Sequence, residues 1–318
     1  MRETDGFVSG QDLCGQLQVS RTAVWKKIKQ LEEEGYQIEA VRNRGYRLVS
    51  VPGGLSAGEI ESRLHTEWAG HPVLYYESIG STNAEAKRLG EEGAVSGTLL
   101  VADEQTAGRG RRGRGWVSPK GSSVYMTLLL RPKAPPESIS MVTLVMGLAV
   151  TAAIRRISGL DAKIKWPNDI VVDGKKVCGI LTELSAEMTA VNYVVIGIGI
   201  NVNTESFPPE ISEVAASLRS VAGRPFDRGA LIAACMEEFE ARCLKFEEKQ
   251  DLTLLKDEYN ELLVNCGERV RVLDAADPFE GTARGIDAEG RLLVDRDGQG
   301  RTAVYAGEVS VRGVFGYV

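Results

Sequence analysis

Hydrophobic and polar positions change their period several times along the chain. Val24, Ile28 and Leu31 recur at helical spacing behind Ser20, a good helix N-cap, until Gly35 stops the pattern. A shorter helix is predicted over about Gln11 to Leu17, and YQIEAVRNRGYRL (36–48) reads as a hairpin with arginines near its turn. Further on, VYMTLLL (124–130) reads as a strand, and Ile139 to Ile157 as a buried core helix, broken by Ser140, Thr143 and Thr151 and ending in two arginines. Strict alternation in YVVIGIGINVN (193–203) puts Ile196, Ile198, Ile200 and Val202 on one face and Gly197, Gly199, Asn201 and Asn203 on the other. From about Gly267 come five short strands, RVRVL, EGTARGI, RLLVD, TAVYA and VSVRG, with turns such as Asp297-Gly298, which suggests a small antiparallel barrel.

Two breaks in composition, Pro52 to Gly54 and the end of a charged helical region near Cys266, divide the chain into domains at 1–52, 53–266 and 267–318. The fold class is α+β. At 318 residues the chain is long enough for two or three domains with a substantial core. Five cysteines are odd in number and lack C-x-x-C spacing, which predicts reduced thiols, a cytoplasmic location and no structural metal site. No basic stretch followed by an apolar run opens the sequence, and no membrane association is expected. A net charge of −6 argues against coating of nucleic acid, so any basic surface is local.

One such surface lies in the first domain. The helix that buries Val24 and Ile28 turns Thr22, Lys26 and Lys29 the other way, which is a recognition-helix pattern, and the hairpin adds a basic wing. The candidate DNA contacts are Ser20, Arg21, Thr22, Lys26, Lys29, Arg42 and Arg44. A merely solvated basic face is the plain alternative.

The strongest signal is the run Gly108 to Trp116, in which four arginines alternate with four glycines before the tryptophan. Glycine lets backbone approach a ligand, and each guanidinium offers a fork of donors matched to phosphate or carboxylate. The letters satisfy G-x-G-x-x-G, but the loop leads into a strand and not a helix, so a dinucleotide fingerprint fails on context. Neither a P-loop nor kinase motifs occur, and a single copy between apolar runs is not a disordered RNA-binding repeat. A folded anion site remains.

Three other segments surround it in the reading. Asp173-Gly174 is a hairpin turn that pairs Ile170 to Val172 with Lys176 to Leu181, bringing Lys176 to the start of a return strand. Interior glycines weaken a strand unless something approaches the backbone, so Gly197 and Gly199 suggest a flat ligand, with a second packed backbone as the alternative. Ser81, Thr82 and Asn83 stand before a helix; Thr82 with Glu85 matches a capping box, and the same side chains suit the polar head of a ligand.

Taken together, STN at 81–83, EQTAGRGRRGRGW at 104–116, KWPNDI at 165–170, KKVCGIL at 175–181 and GIGIN at 197–201 resemble the bifunctional biotin protein ligases that double as repressors of the biotin operon. The likeness covers nearly the whole chain and implies an N-terminal winged helix-turn-helix, a central mixed-sheet catalytic domain and a C-terminal SH3-like barrel. It implies a two-step reaction: biotin and MgATP give biotinyl-5′-adenylate and pyrophosphate, and a lysine of the biotin carboxyl carrier protein then takes the biotin. A carboxylate already ionised at neutral pH needs alignment and charge neutralisation more than a general base, which suits a chain with two histidines, His65 and His71. By position, the resemblance assigns Ser81, Thr82, Asn83 and Gln105 to biotin, and Arg109, Gly110 and Arg111 to the biotin carboxylate and adenylate phosphate. Lys176 is assigned to the adenylate, with Trp116, Gly197, Gly199 and Asn201 bordering the nucleotide. Asp169 is the partner expected for the acceptor lysine. The family also implies Mg²⁺, a biotin operator as DNA partner, and homodimers formed when adenylate is bound.

The departure is at the front. Only MRETDGFV precedes Ser9, with Gly6 inside it, so the helix that packs behind such a helix-turn-helix is expected to be missing, and the module to be truncated and weak on its own. Lipoate ligation, ligation without repression, and ligand-responsive regulation without turnover are the rival functions. The arginine–glycine loop, lacking an apolar anchor, is expected to be disordered when empty and to order as a lid over the adenylate.

Overall fold

The computed structural model describes residues 6–33, 35–50, 54–133, 135–186, 191–274, 277–306, 310–313 and 317–318. It divides into two compact units, 1–55 and 56–318.

In the first unit, Ser9 caps α1 (Gly10–Leu17) by accepting from Asp12 N at 3.0 Å. Ser20 does the same for α2 (Arg21–Glu33), accepting from Ala23 N at 3.2 Å. The antiparallel hairpin of β1 (Gln37–Val41) and β2 (Gly45–Ser50) follows. Leu13, Val24 and Ile28 form the small core, with Val8, Ile38 and Tyr46 packed on it. Among the described residues no helix precedes α1; Val8 instead makes an isolated antiparallel bridge to Tyr46. Gly45 makes this approach possible: its φ is +104°, and a Cβ there would lie 2.1 Å from Val8 O. Of the Pro52–Gly54 break, Pro52 and Gly53 lie outside the described residues.

The second unit runs α3 (Ala57–Glu61), β3 (Val73–Tyr76), α4 (Thr82–Glu91), β4 (Leu99–Ala102), β5 (Val124–Leu130), α5 (Ile139–Ser158), β6 (Lys163–Lys165), β7 (Asp169–Val172), β8 (Lys175–Ala186) and β9 (Val191–Ile200). Helices α6 (Leu218–Ala222), α7 (Arg228–Lys249) and α8 (Lys256–Leu262) come next, then β10 (Arg269–Leu273), β11 (Phe279–Ile286), β12 (Leu292–Arg296), β13 (Gly300–Val304) and β14 (Ser310–Gly313). β3 to β9 form one seven-stranded sheet in the order β3-β4-β5-β9-β8-β7-β6, parallel only between β3 and β4. The predicted turn joins β7 to β8, with Asp173 at φ +49° and Gly174 at φ +72°, the pair of positive angles that a tight hairpin requires.

Helix α5 is, among the described residues, the one long and apolar enough to cross a membrane; 72% of its apolar window is buried inside the protein, against α7 and the sheet. The five last strands form an antiparallel sheet in the order β13-β12-β11-β10-β14. The break expected near Cys266 falls between α8 and β10, but the strands beyond it belong to the same compact unit as the large sheet. Long-range bonds tie them in: Trp166 Nε1 donates to Gly290 O at 3.1 Å and Lys165 Nζ to Val311 O at 3.0 Å.

Candidate functional site

The N-terminus of α4 supplies a buried polar corner, and its cap differs from the predicted box. Ser81 is the N-cap residue by backbone geometry, but it makes no capping hydrogen bond, and Thr82 is already inside the helix. Glu85 is drawn away to Arg88, 2.7 Å, and to the Tyr76 hydroxyl. The orphan N–H of Thr82 is satisfied from another loop: Gln105 Oε1 accepts it at 2.9 Å and lies 3.1 Å from the Thr82 hydroxyl. Gln105 Nε2 in turn donates to Ser118 Oγ at 3.1 Å. Two of the four residues assigned to biotin, Thr82 and Gln105, are thereby joined.

Asn83 is fixed from two strands. Thr127 Oγ1 lies 2.7 Å from its Oδ1 and 2.8 Å from the Thr82 hydroxyl, and Asn83 Nδ2 donates to Glu183 Oε2 at 2.8 Å. Burial acts to raise the Glu183 carboxyl, yet the bond from Asn83 and the Lys87 ammonium outweigh it and hold the group below the ordinary carboxylate range. Thr127 and Glu183 escaped the sequence reading. Thr127 sits inside the continuous apolar run of β5, whose only polar letter it is, and that letter was the available signal.

The glycine face is covered by the protein's own side chains. A Cβ on Gly197 would lie 2.1 Å from Asn83 Oδ1, and one on Gly199 would lie 2.6 Å from the Trp116 ring. Gly179 stands opposite Gly199 across the β8–β9 ladder, and a Cβ there would meet the same indole at 3.0 Å. The flat group expected against these glycines is therefore, on Gly199, an indole and, on Gly197, a carboxamide. Trp116 Nε1 is buried without a hydrogen-bond partner among the described residues.

The arginine–glycine loop is folded as a tight tip. Arg109 bridges Gly115, Gly110 N donates to Arg114 O at 2.7 Å, and Arg111–Gly113 make one turn of 3-10 helix with Arg112 at φ +58°. The tip has anchors that its composition did not reveal. Trp116 roots one end on the glycine floor, and the half-buried Arg111 donates to Asn168 Oδ1 at 2.7 Å and to Ala306 O at 3.0 Å. Burial lowers the Arg111 pKa against the opposing pull of Asp169. Arg109, Arg112 and Arg114 make no ion pair among the described residues and stand exposed.

Lys176 leaves the start of β8 and pairs with Asp169 Oδ1 at 2.6 Å, 5.3 Å from the Trp116 ring centroid. Asp169, read as a partner for the acceptor lysine, is thus already engaged: Tyr317 Oη donates to its Oδ2 at 2.6 Å and Asn168 Nδ2 reaches Oδ1 at 3.2 Å. Lys165 is buried beside it, and desolvation pushes its pKa down to about 8, with Asp169 resisting. Lys165 and Tyr317 were also missed, because one hides in a short strand and the other arrives from the far end of the chain.

These groups line two adjoining cavities. Ser81, Thr82, Asn83, Gln105 and Arg109 border a narrow one with Gly197 and Gly199; Asp169, Asn201, Lys165 and Tyr317 border a wider one of about 350 Å³. Gly110, Arg111, Trp116, Asn168 and Lys176 belong to both. Asn201 is partly structural, since its Nδ2 donates to Ala216 O at 3.1 Å. Among the described residues no group of three or more His, Cys, Asp or Glu could hold a metal ion. Such an arrangement can hold one polar ligand end-on to a larger anionic one, with fixed cations where they meet.

In the first unit, Arg21, Thr22, Lys26 and Lys29 are exposed on α2, and Arg42 and Arg44 near the tip of the hairpin. Ser20 is occupied as a cap, Lys29 pairs with Glu32 at 2.6 Å, and Arg44 stacks over Phe7 at 4.9 Å. Trp25, absent from the predicted contacts, lies on this helix 53% exposed.

Comparison with known proteins agrees in all three parts. The Biotin/lipoate A/B protein ligase family model matches residues 75–201, an HTH domain model matches 1–47, and a biotin protein ligase C-terminal domain model matches 266–312. The bifunctional ligase/repressor BirA of Bacillus subtilis is 42% identical over 307 residues, 96% of this chain and 94% of that protein. Its Escherichia coli counterpart is 31% identical over 96% of this chain and 93% of its own length. Among solved structures, the biotin protein ligase from Aquifex aeolicus in complex with biotin and ATP superposes with a TM-score of 0.68 at 33% identity, covering 76% of this chain and 98% of that one. With a ligase-type sheet and cationic loop following a helix-turn-helix in the sequence, and relatives alike over almost their full length, the chain belongs to the biotin protein ligase family, in its bifunctional ligase/repressor form.

Proposed function

We propose that this protein activates biotin with MgATP and transfers it to a lysine of a biotin carboxyl carrier protein. The observation that carries the reading is the shared wall of Arg111, Trp116 and Lys176 between the narrow polar cavity and the wide one. The biotin carboxylate attacks the α-phosphorus of ATP there; a C–O–P bond forms, the bond to the β-phosphate oxygen breaks, and pyrophosphate leaves. Both partners are anionic, so what the protein supplies is alignment and positive charge. Ser81, Thr82, Asn83 and Gln105 hold the biotin head, and Arg109, Gly110 and Arg111 close over its carboxylate and the adenylate phosphate. Lys176 steadies that phosphate, while Trp116, Asn201 and the Gly197–Gly199 strand border the nucleotide. Mg²⁺ enters with the ATP phosphates as part of the substrate. In the second step the acceptor amine attacks the acyl carbon, AMP leaves, and an amide results.

The same reading makes the first unit an operator-binding arm in a cytoplasmic protein that dimerises when adenylate is bound. Reduced cysteines and the exposed cations on α2 and the hairpin support it. Pyrophosphate release on adding ATP with biotin, lipoate or octanoate tests ligation: release with biotin alone is expected, and release with none of the three would leave a regulator without turnover. Mobility shift of biotin-operator DNA in the presence of biotinyl-adenylate tests repression; no shift would leave a dedicated ligase.

A further inference from the structure

The network around Lys176 reaches the last residues of the chain. Tyr317 lies four residues beyond the end of β14, and its hydroxyl donates to Asp169 Oδ2 at 2.6 Å while the other carboxylate oxygen holds the Lys176 ammonium at 2.6 Å. A carboxylate gripped on both oxygens cannot rotate, so the phenol fixes the direction in which Asp169 presents its second oxygen. The ring itself covers the Lys165 ammonium, 4.4 Å from the ring centroid. Lys165, Asp169, Lys176 and Tyr317 all border the wider cavity.

We propose that Tyr317 is a positioning residue for the adenylate-forming step: its hydroxyl locks Asp169, and through Asp169 it aims Lys176 at the phosphate. The proposal rests on the ligase reading above. Tyr317 then serves the site through a hydrogen bond and not through filling space. Burial, and after it the Asp169 charge, raise the phenol's pKa above its ordinary value, so the hydroxyl stays a donor throughout the working range of pH.

The test uses the full chain and four variants, Tyr317→Phe, Tyr317→Ala, Asp169→Asn and the Asp169→Asn/Tyr317→Phe double. Single-turnover pyrophosphate release at saturating biotin and ATP is measured with each, together with the biotin KM and the melting temperature. Losing a hydrogen bond to a charged group slows the step by roughly tenfold in Tyr317→Phe. Its biotin KM stays at the parent value, and its melting temperature falls by only a few degrees, as the loss of one hydrogen bond requires. In the Asp169→Asn background the same change adds nothing, because the group it acts through is gone. A Tyr317→Phe protein as fast as the parent, with only Tyr317→Ala impaired, reduces the residue to packing and overturns the proposal. So does a rate loss that tracks melting temperature, or two substitutions whose effects multiply. A parent protein that releases no pyrophosphate with biotin overturns the ligase reading and this role with it, a result distinct from an unimpaired Phe variant.

Discussion

Replacing Gly197 by alanine should strike biotin and stability together. The new methyl carbon lies 2.1 Å from Asn83 Oδ1, whereas ordinary contact begins near 3.4 Å, so the carboxamide must retreat by about 1.3 Å. It has little freedom to do so, being held within 2.7 Å of Thr127 Oγ1 and 2.8 Å from Glu183 Oε2. Overpacking of this kind costs about 1–3 kcal/mol, and a broken bond to the Glu183 carboxylate adds roughly 1.5–3 kcal/mol when it cannot re-form. A total near 2.5–6 kcal/mol lowers the melting temperature by about 5–11 °C in a unit of this size. If Asn83 holds biotin, its displacement also raises the biotin KM by at least about tenfold, the equivalent of 1.4 kcal/mol. Gly199→Ala is the matched control, because it pushes on Trp116 instead, at 2.6 Å, and that indole nitrogen has no hydrogen bond to lose among the described residues. It should raise the ATP KM with a smaller drop in melting temperature. Steady-state pyrophosphate release and thermal melts on both variants decide the matter. A Gly197→Ala protein with parental biotin KM and melting temperature, or two variants that raise the same KM, would refute the assignment of Asn83 to biotin and Trp116 to the nucleotide.

Three further outcomes are expected. Trypsin should cut the Gly108–Gly115 loop more slowly once biotin and ATP are added, because Arg109, Arg112 and Arg114 are exposed cations that the adenylate would engage; equal cleavage with and without ligand contradicts the lid. Lys165 has a folded pKa of about 8, below its ordinary 10.5, so its burial penalty is present below pH 8 and fades as pH rises from 8 to 10.5. Lys165→Met should therefore raise stability at pH 7 by at most roughly 3 kcal/mol and gain much less at pH 10; an equal gain at both pH values removes the desolvated ammonium from the account. Lys26→Ala should weaken binding to operator and unrelated duplexes alike and lower the salt slope by about one, as phosphate contacts do; a loss confined to the operator would make Lys26 a base reader.

Local chemistry was legible in the sequence wherever it needed only near neighbours. Asp173-Gly174 announced its hairpin, the alternation at 193–203 announced β9, and the five C-terminal strands lie within a few residues of their predicted positions. Features that depend on distant partners were misread or missed. The capping box at Thr82 and Glu85 was plausible from spacing, but Gln105, from another loop, takes the amide that a local side chain would have capped. Gly197 and Gly199 signalled a close approach without saying whose, and the visitors are Asn83 and Trp116. Tyr317 could not be linked to Asp169 by any spacing rule, since 148 residues separate them.

The facing glycines of β8 and β9 store the shape of the pocket in the hairpin register. Gly179 opposes Gly199 on the β9 side of β8 and Asp169 on the β7 side. A one-residue slip of β8 against β9 would bring a neighbour that carries a side chain, Cys178 or Ile180, opposite Gly199 beneath Trp116. The floor would rise by a side chain although no residue of the strand itself had been substituted. The pocket is therefore specified by strand register as well as by residue identity, and a catalogue of its residues would not record the difference.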